Sequence, residues 1–318
     1  MNTVYTTTIT REARRRGIGI EVIDAWTPIF VLKRGVRRVR CYNALTDKVG
    51  AVTFHMAQNK RLANVFLRRH GFPVPDQILF ATAARAEAFL LKHKAVVVKP
   101  CTQWGGRGVS VAVRTRAELG RALRLARQFE DDVVIEEYVA GTDLRLIFID
   151  FEFVAAIRRN PACVAGNGRD TLRTLVLRRN RQEQRRDPSH RIPVDAETGR
   201  NLAALGRSWR TVPAAGENVQ VRLTSNYHTG GSIEVITATV SRKLVAVAKR
   251  AVRCLNVPVI GVDFLHDPKT GTSRIIELSP DLAISPPEGE DVARRFLDYL
   301  FPETKARVKK RLARDLME

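Results

Sequence analysis

The chain has 318 residues, of which 44% are hydrophobic and 27% charged, and its 54 Lys and Arg against 33 Asp and Glu give a net charge of +21. This length is enough for two or three compact units, and the ordinary composition excludes collagen-like and wholly disordered proteins. The sequence has no apolar run of transmembrane length, no apolar secretion signal and no closely spaced cysteines, so we expect a cytoplasmic protein with reduced thiols.

The N-terminal part is predicted to form a small unit of one helix and short strands, followed by two further helices. Gly17 is suited to ending the first helix, and Arg34-Gly35 to a turn between two strands. Gly71 and the prolines that follow it end the second helix. The predicted helices are 7–17, 58–70 and 82–93, and the predicted strands are 18–23, 28–32 and 36–39.

From residue 96 onward, short apolar runs alternate with helical patterns. Thr115 and Glu118 form a capping box, which marks the start of a helix. The predicted strands are 96–99, 109–113, 133–138, 145–149, 153–157, 219–223, 259–265 and 274–278, and the helices are 115–126, 171–179, 241–255 and 290–300. The pattern favours an α+β fold with mainly antiparallel sheets.

The positive charge has two interpretations. It indicates a polyanionic partner, such as a nucleic acid, a phosphorylated ligand or an acidic peptide, or it reflects arginines scattered over the surface with few aromatic residues between them. The segment 178–191, RRNRQEQRRDPSHR, concentrates the charge and lacks apolar periodicity, so it is predicted as a basic loop. It is either a solvated surface or a segment that faces a substrate.

A lysine and a glycine-rich turn are the strongest local signal for an anion site. Lys99 ends one predicted strand, and Gly105, Gly106 and Gly108 precede the next. Glycines let backbone N–H groups approach an anion closely, and the lysine adds a positive charge. The alternative is a tight hairpin with an exposed lysine.

Carboxylates at two later positions indicate a metal site. Asp263 and Glu277 each lie in an apolar strand, where a lone buried charge is costly unless it is paired or bound to a metal. Two carboxylates on neighbouring strands would suit Mg²⁺, which prefers oxygen ligands. Ion pairs with two of the many arginines are the alternative. Between these motifs, the strand that ends at IEEYV offers main-chain groups to a purine ring, and Asp143 offers a carboxylate to a ribose.

The order of these motifs resembles the ATP-grasp superfamily, in particular the ATP-grasp region of cyanophycin synthetases and of bifunctional glutathione-synthesising ligases. The resemblance spans roughly residues 55–300 and rests on several segments in family order. These are NKRLANVFLRRHGFPVP, VVVKP with GGRGV, VVIEEYVAGTDLRL, VAAIRRNP with GNGRDT, TSNYHTGGSIEV, GVDFL and IIEL.

The resemblance implies an ATP-grasp fold, in which two α+β lobes grip ATP behind a shortened pre-ATP-grasp αβ unit. The implied division is 1–57 for the short unit, 58–142 for the N-terminal lobe with the glycine-rich loop, 143–302 for the C-terminal lobe with the metal site, and 303–318 for a charged tail.

The resemblance also implies roles for individual residues. The implied ATP-binding residues are Lys60, Lys99, Gly105, Gly106, Arg107, Gly108, Glu136, Glu137, Tyr138, Val139 and Asp143. The implied substrate-binding residues are Arg145, Asn226, Gly230 and Gly231, and the implied catalytic residues are Arg158 and Arg222. The implied metal ligands are Asp263, Glu277 and Ser279.

Two positions depart from the family pattern. Ser279 stands where the family has an asparagine ligand, and its shorter hydroxyl weakens the site for a second metal unless Asp281 or water compensates. Gln103-Trp104 replaces small or polar residues of the glycine-rich loop, which alters how the loop closes.

The implied activity is an ATP-dependent carboxylate–amine ligase that forms an amide or peptide bond through an acylphosphate. The expected cofactors are ATP with one or two Mg²⁺ ions, or Mn²⁺, and the expected substrates are amino acids or short acidic peptides. No membrane partner is expected, and family analogy suggests a homo-oligomer. The alternatives are a non-catalytic ATP- or anion-binding module and, less favoured, a nucleic-acid-binding protein.

Overall fold

The structure is a computed structural model that describes residues 4–24, 26–282, 284 and 289–305. The described helices are α1 (Val4–Arg15), α2 (Ala51–Gln58), α3 (Lys60–Arg69), α4 (Ala83–His93), α5 (Arg116–Arg127), α6 (Leu172–Glu183), α7 (Ala196–Ala204), α8 (Arg242–Leu255) and α9 (Gly289–Leu300). The strands are β1 (Gly19–Val22), β2 (Ile29–Arg34), β3 (Arg37–Tyr42), β4 (Leu45–Thr46), β5 (Gln77–Leu79), β6 (Val96–Pro100), β7 (Ser110–Val113), β8 (Val133–Glu137), β9 (Thr142–Ile149), β10 (Glu152–Asn160), β11 (Cys163–Ala165), β12 (Asn218–Gln220), β13 (Ser232–Val235), β14 (Val259–His266) and β15 (Ser273–Ser279).

The N-terminal unit is an antiparallel sheet of β1 to β4 in chain order. One face of this sheet, with Phe30, Leu32 and Val39, packs in a core shared with α1 and α9. The buried Arg16, just after α1, joins the two ends of the chain, because it binds Glu12 at 2.8 Å and Asp298 at 2.7 Å. The unit is therefore fixed to the C-terminal helix.

A second sheet has the order β5-β8-β6-β7, and its strand pairs are antiparallel. Because side chains alternate along a strand, Val96 and Val98 point into a core with α4 and α5, while Val97 and Lys99 lie on the other face. Helix α5 starts at the capping box that the sequence predicts, with Thr115 as N-cap.

The central sheet has the order β13-β10-β9-β14-β15 and is also antiparallel. Leu146, Phe148 and Val262 on one face pack against α8 and α3. On the other face, Ile147 and Ile149 pack against the N-terminal unit. The rest of that second face carries charged side chains, so one half of it is core and the other half is available for a polar site.

The two-stranded sheet β11-β12 forms a small core with α6 and α7. Here the prediction of a loop at 178–191 is wrong in its first part, because α6 continues to Glu183. The helix is extended because the side chain of Asn180 exchanges two hydrogen bonds with the backbone of Ile192, at 2.8 and 2.7 Å. This buried contact stabilises the end of the helix, where the sequence has no apolar periodicity.

The predicted segments largely coincide with observed helices and strands, but α2, α7, β4, β5, β11 and β13 have no counterpart in the prediction. These elements are short, and each is stabilised by its neighbours rather than by a strong pattern of its own. Most of the predicted charged tail, from 306 onward, lies outside the described residues. Among the described residues, no helix combines the length and apolarity that a membrane span requires.

Candidate nucleotide and substrate site

Lys99 and Glu136 lie side by side on the face of the second sheet that is turned away from α4 and α5. Lys99 Nζ lies 2.6 Å from Oε2 of Glu136, and both side chains are more than nine-tenths buried. Gln77, opposite Glu136 in the sheet, donates to its other carboxylate oxygen at 2.6 Å. Lys99 also donates to the carbonyl of Ile276 at 3.4 Å. Ile276 is the extra residue of a β-bulge in β15, so Lys99 connects this sheet with the central one.

The charged half of the central sheet gathers two carboxylates and two arginines. The register places Asp143 opposite Arg159, and Arg145 opposite Asp263. Arg145 holds both oxygens of Asp263, at 2.7 and 2.8 Å, and Arg159 Nη2 lies 2.8 Å from the same carboxylate. Arg159 also binds Asp143 at 2.7 Å. Asp263 is fully buried, so these arginines supply the compensation that its charge needs.

The pKa shifts of this group follow from burial and charge. Burial on its own would raise the pKa of Asp263, but Arg145 and Arg159 outweigh it and hold the value at about 2. For Asp143, burial dominates and the neighbouring Asp263 charge adds to it, so its pKa is raised despite Arg159. Burial lowers the pKa of Arg159 less than the two carboxylates raise it. The cluster is held together in its charged form around Asp263.

Lys60 and Glu277 form a third pair at the same place. Lys60 Nζ lies 3.2 Å from Oε1 of Glu277 and donates to the carbonyl of Gln103 at 2.6 Å. Glu277 is opposite Asp263 in the β14–β15 pair, so the two predicted metal carboxylates share one face. The central sheet, the second sheet and α3 thereby bring together five residues that are far apart in the sequence, namely Lys60, Lys99, Arg145, Asp263 and Glu277.

The glycine-rich loop between β6 and β7 has the backbone conformation that requires glycine. Gly105, Gly106 and Gly108 have φ values of +70°, +76° and +69°. A Cβ at Gly108 would also lie 2.9 Å from atoms of Pro100 and Phe129. Arg107 lies over the ring of the exposed Trp104, 5.7 Å from its centroid. The loop presents an arginine and an aromatic ring beside Lys60.

The predicted adenine hinge is partly engaged within the sheet. The N–H groups of Glu137 and Tyr138 donate to the carbonyls of Asp76 and Ala95, at 2.9 and 3.0 Å. Val139 follows the end of β8 and is half-buried. The roles of Glu136, Glu137, Tyr138 and Val139 stay predictions.

The segment 226–231 is a tight, braced loop. Asn226 caps a 3₁₀ turn by accepting from the N–H of His228, and Gly230 has a φ of +87°. A Cβ at Gly230 would lie 2.3 Å from Ile192, so glycine is needed there for space as well. The N–H groups of Gly230 and Gly231 donate within the loop, to Tyr227 and Asn226. In this state neither N–H is available to a substrate carboxylate.

Residues that the sequence reasoning did not single out hold this loop in place. Arg179 donates to the carbonyl of Gly230 at 3.1 Å, and Nε2 of the buried His190 lies 3.0 Å from the carbonyl of Gly231. Both belong to the basic segment 178–191. Part of that segment therefore packs against the loop 226–231 rather than facing solvent.

The structure does not bring Arg158 to the cluster. It is opposite Leu144 in the β9–β10 pair, which places it on the core-forming side of the sheet, where it binds Glu234 at 2.9 Å near the surface. Its neighbour Arg159 occupies the position facing Asp143 and Asp263. The sequence reasoning missed Arg159, because adjacent arginines in a strand can be told apart only by register.

Arg222 is buried and contacts residues at the start of α7. Its Nη1 lies 2.8 Å from Asp195 Oδ1 and donates to Thr198 at 2.7 Å. From the same helix, Arg200 donates to the carbonyls of Val111 and Ala112 in β7. Helix α7, which was not predicted, thus connects the strand after the glycine-rich loop with Arg222.

The donors suit a divalent cation at Asp263 and Glu277, which offer carboxylate oxygens on neighbouring strands. Ser279 fits less well, since its hydroxyl already accepts from Arg145 at 2.9 Å. Two residues on, Oδ1 of Asp281 is buried without a hydrogen-bond partner among the described residues. Burial raises the pKa of Asp281 to about 6 against the influence of Asn43 and Arg145.

A second group with metal-ligand chemistry, Asp76, His93 and Glu137, lies at the hinge. The two ring nitrogens of His93 face different carboxylates, at 3.6 and 3.5 Å. Asp76 also binds Arg68 and Lys92. This arrangement is that of an ion-pair network, because the cationic partners compete with a metal for Asp76.

Comparisons with known proteins agree with this architecture. The model of the prokaryotic glutathione synthetase ATP-grasp domain matches residues 66–184. The crystal structure of a bifunctional glutathione synthetase from Pasteurella multocida superposes with a TM-score of 0.62 at 24% identity, covering 94% of this chain and 43% of that one. D-alanine–D-alanine ligase from Bacillus anthracis gives a TM-score of 0.51 at 17% identity, covering 80% and 69%. The chain has the ATP-grasp fold.

Among curated relatives of this ATP-grasp protein are a cyanophycin synthetase from Trichormus variabilis, 28% identical over 93% of the chain, and the glutathione biosynthesis bifunctional protein GshAB from Listeria welshimeri, 31% identical over 92%. The chain spans only 35% and 40% of the lengths of these two relatives. The ATP-grasp fold recognised from the motif order and the α+β fold class are confirmed.

Proposed function

We propose that this ATP-grasp protein is an ATP-dependent, ADP-forming carboxylate–amine ligase that makes an amide or peptide bond through an acylphosphate. The observation that carries the proposal is the meeting of four cations, Lys60, Lys99, Arg145 and Arg159, with the carboxylates of Glu136, Asp143, Asp263 and Glu277 between two sheets. Such a group is complementary to a triphosphate and to the charge that develops in phosphoryl transfer. The relatives include enzymes named as synthetases of cyanophycin and glutathione.

In this proposal each group has a defined task. Lys60, Lys99 and the glycine-rich loop bind the phosphates of ATP, and the end of β8 binds adenine. Arg145 and Arg159 offset the repulsion between the substrate carboxylate and the γ-phosphate, so that a carboxylate oxygen attacks phosphorus and ADP leaves. The amine then attacks the acyl carbon, and phosphate leaves. A magnesium ion held by Asp263 and Glu277 would supply additional positive charge against the triphosphate.

The substrate class follows from the surroundings of the segment 226–231. The exposed Arg185 and Arg186 lie on the basic segment that braces this loop. Exposed positive charge on this segment attracts anionic substrates and raises their local concentration. We therefore propose that the substrate is an acidic amino acid or a short acidic peptide.

The test is phosphate release from MgATP with a panel of amino acids and dipeptides, together with ADP detection by chromatography. We expect turnover that needs both an acid and an amine and is greatest with acidic substrates. The control variant for substitutions in the cluster is Lys249→Met, which removes a surface lysine that is paired with Glu152 away from the cluster. Turnover confined to neutral or basic substrates would refute the substrate class alone.

A non-catalytic ATP-binding module is the second candidate, and the Ser279–Arg145 hydrogen bond is the observation that favours it. If calorimetry shows MgATP binding while the full panel yields no ADP, this candidate replaces the ligase.

A further inference from the structure

The cations and carboxylates of the cluster neutralise one another. Lys60 is paired with Glu277, Lys99 with Glu136, and Arg145 with Asp263. Lys60, Lys99 and Arg145 thus each have a carboxylate partner already. Two of those carboxylates, Asp263 and Glu277, are the oxygen donors that suit a divalent cation.

We propose that Lys60, Arg145 and Arg159 act as internal counter-ions that keep Asp263 and Glu277 from binding a divalent cation until a polyphosphate draws the cations away. The inference rests on the proposed function, because it takes the triphosphate as the ligand that exchanges partners with the carboxylates.

Burial makes the exchange nearly obligatory. The side chain of Lys60 is only 6% exposed and that of Asp263 is 0% exposed. Removing one member of such a pair leaves a buried charge without a partner, which is strongly unfavourable. A divalent cation alone would displace Lys60 and Arg145 and leave them uncompensated, whereas Arg159 would keep its pair with Asp143. A triphosphate offers them new anionic partners in the same step.

The consequence is reciprocal coupling. A nucleotide that draws Lys60 and the arginines toward its phosphates leaves carboxylate oxygens for the cation, and the cation in turn favours nucleotide binding by the same factor. Without nucleotide, the protein should therefore bind divalent cations weakly, even though it carries the donor set.

The decisive measurement is a titration of the nucleotide-free chain with Mn²⁺, followed by the loss of the electron paramagnetic resonance signal of free Mn²⁺. Lys60 is the residue to change, since its partner Glu277 is 32% exposed and tolerates the loss of the pair better than the fully buried Asp263. We expect weak binding by the unmodified chain, and binding by Lys60→Met that is tighter by about tenfold or more. A unit charge removed from roughly 5 Å is worth more than one decade at an effective dielectric constant of about 20.

Matched variants separate this effect from a change in folding. Lys60→Arg keeps the charge and should bind Mn²⁺ as weakly as the unmodified chain. Lys60→Gln removes the charge but can still donate to the carbonyl of Gln103, so it serves if Lys60→Met does not fold. Lys249→Met should change nothing, and Lys60→Met combined with Glu277→Gln should lose the gain.

The proposal is overturned if both uncharged variants bind Mn²⁺ no tighter than the unmodified chain, or if the gain survives Glu277→Gln. Tight Mn²⁺ binding by the nucleotide-free unmodified chain at Glu277 would overturn it as well. These outcomes are independent of the ligase assignment, which fails instead if the unmodified chain neither binds nor turns over MgATP.

Discussion

The ammonium group of Lys99 lies 2.6 Å from the carboxylate of Glu136, and both side chains are buried. A lysine expected to bind phosphate is therefore also one half of a structural ion pair. Substitution of Lys99 affects stability as well as ligand binding, and the two effects need separate controls.

We predict that Lys99→Ala abolishes ADP formation and also lowers the free energy of unfolding by about 3–5 kcal/mol, because Glu136 remains buried without its partner. Denaturant unfolding gives the stability, and nucleotide titration gives the binding. In Lys99→Met combined with Glu136→Gln, most of the stability should return while ADP formation stays absent. Turnover that persists in a folded Lys99 variant would contradict its role at the phosphates.

Arg158 and Arg159 form a matched pair of adjacent arginines on opposite faces of β10. Arg159→Ala should destabilise the fold by about 3–5 kcal/mol and abolish turnover, since Asp143 and Asp263 lose a buried partner. Arg158→Ala removes an exposed pair with Glu234 and should cost about 0–1 kcal/mol with little loss of activity. The opposite ranking in thermal unfolding and phosphate release would mean that the β9–β10 register is shifted by one residue.

Arg200 connects α7 with β7. We predict that Arg200→Met speeds hydrogen exchange of the peptide 106–115 by about tenfold or more, because hydrogen bonds to charged groups contribute about 1.5–3 kcal/mol. Arg207→Met, which removes a pair with Glu217 between α7 and β12, is the control. Equal exchange of this peptide in both variants would show that α7 does not restrain the strand.

Glu118 makes stability depend on pH. Burial on its own would raise the pKa of this carboxyl, but the N–H groups of Arg114 and Thr115 and the charge of Arg200 hold it below its usual value. A depressed pKa means that the stabilisation is fully present above the usual value and is lost as the pH falls through the folded value. Glu118→Gln should cost about 0.5–1 kcal/mol at pH 7.

This difference should shrink as the pH falls below the usual glutamate pKa of about 4.3 and through the lower folded value. Urea unfolding of both chains between pH 7 and pH 3 measures it. Glu87→Gln, which removes a surface pair with Arg116, is the control variant. A constant difference across the range would contradict the assignment to the Glu118 carboxylate.

The sequence by itself determined the order of motifs, most helices and strands, and the types of residue in the site. Glycines at positive φ, capping boxes and alternating apolar residues are local signals, so Gly105, Thr115 and the strand around Val98 are recognisable without a fold. The same holds for carboxylates in apolar strands such as Asp263.

Only the tertiary structure decided which charged groups meet. A shift of one residue in register moves a side chain to the other face of a sheet, so the choice between Arg158 and Arg159 depends on the pairing of β9 with β10. The pairing of Lys60 with Glu277, and the bridge through α7 to Arg222, join residues that are distant in the chain. Such contacts arise from packing between sheets and helices, and no local pattern in the sequence encodes them.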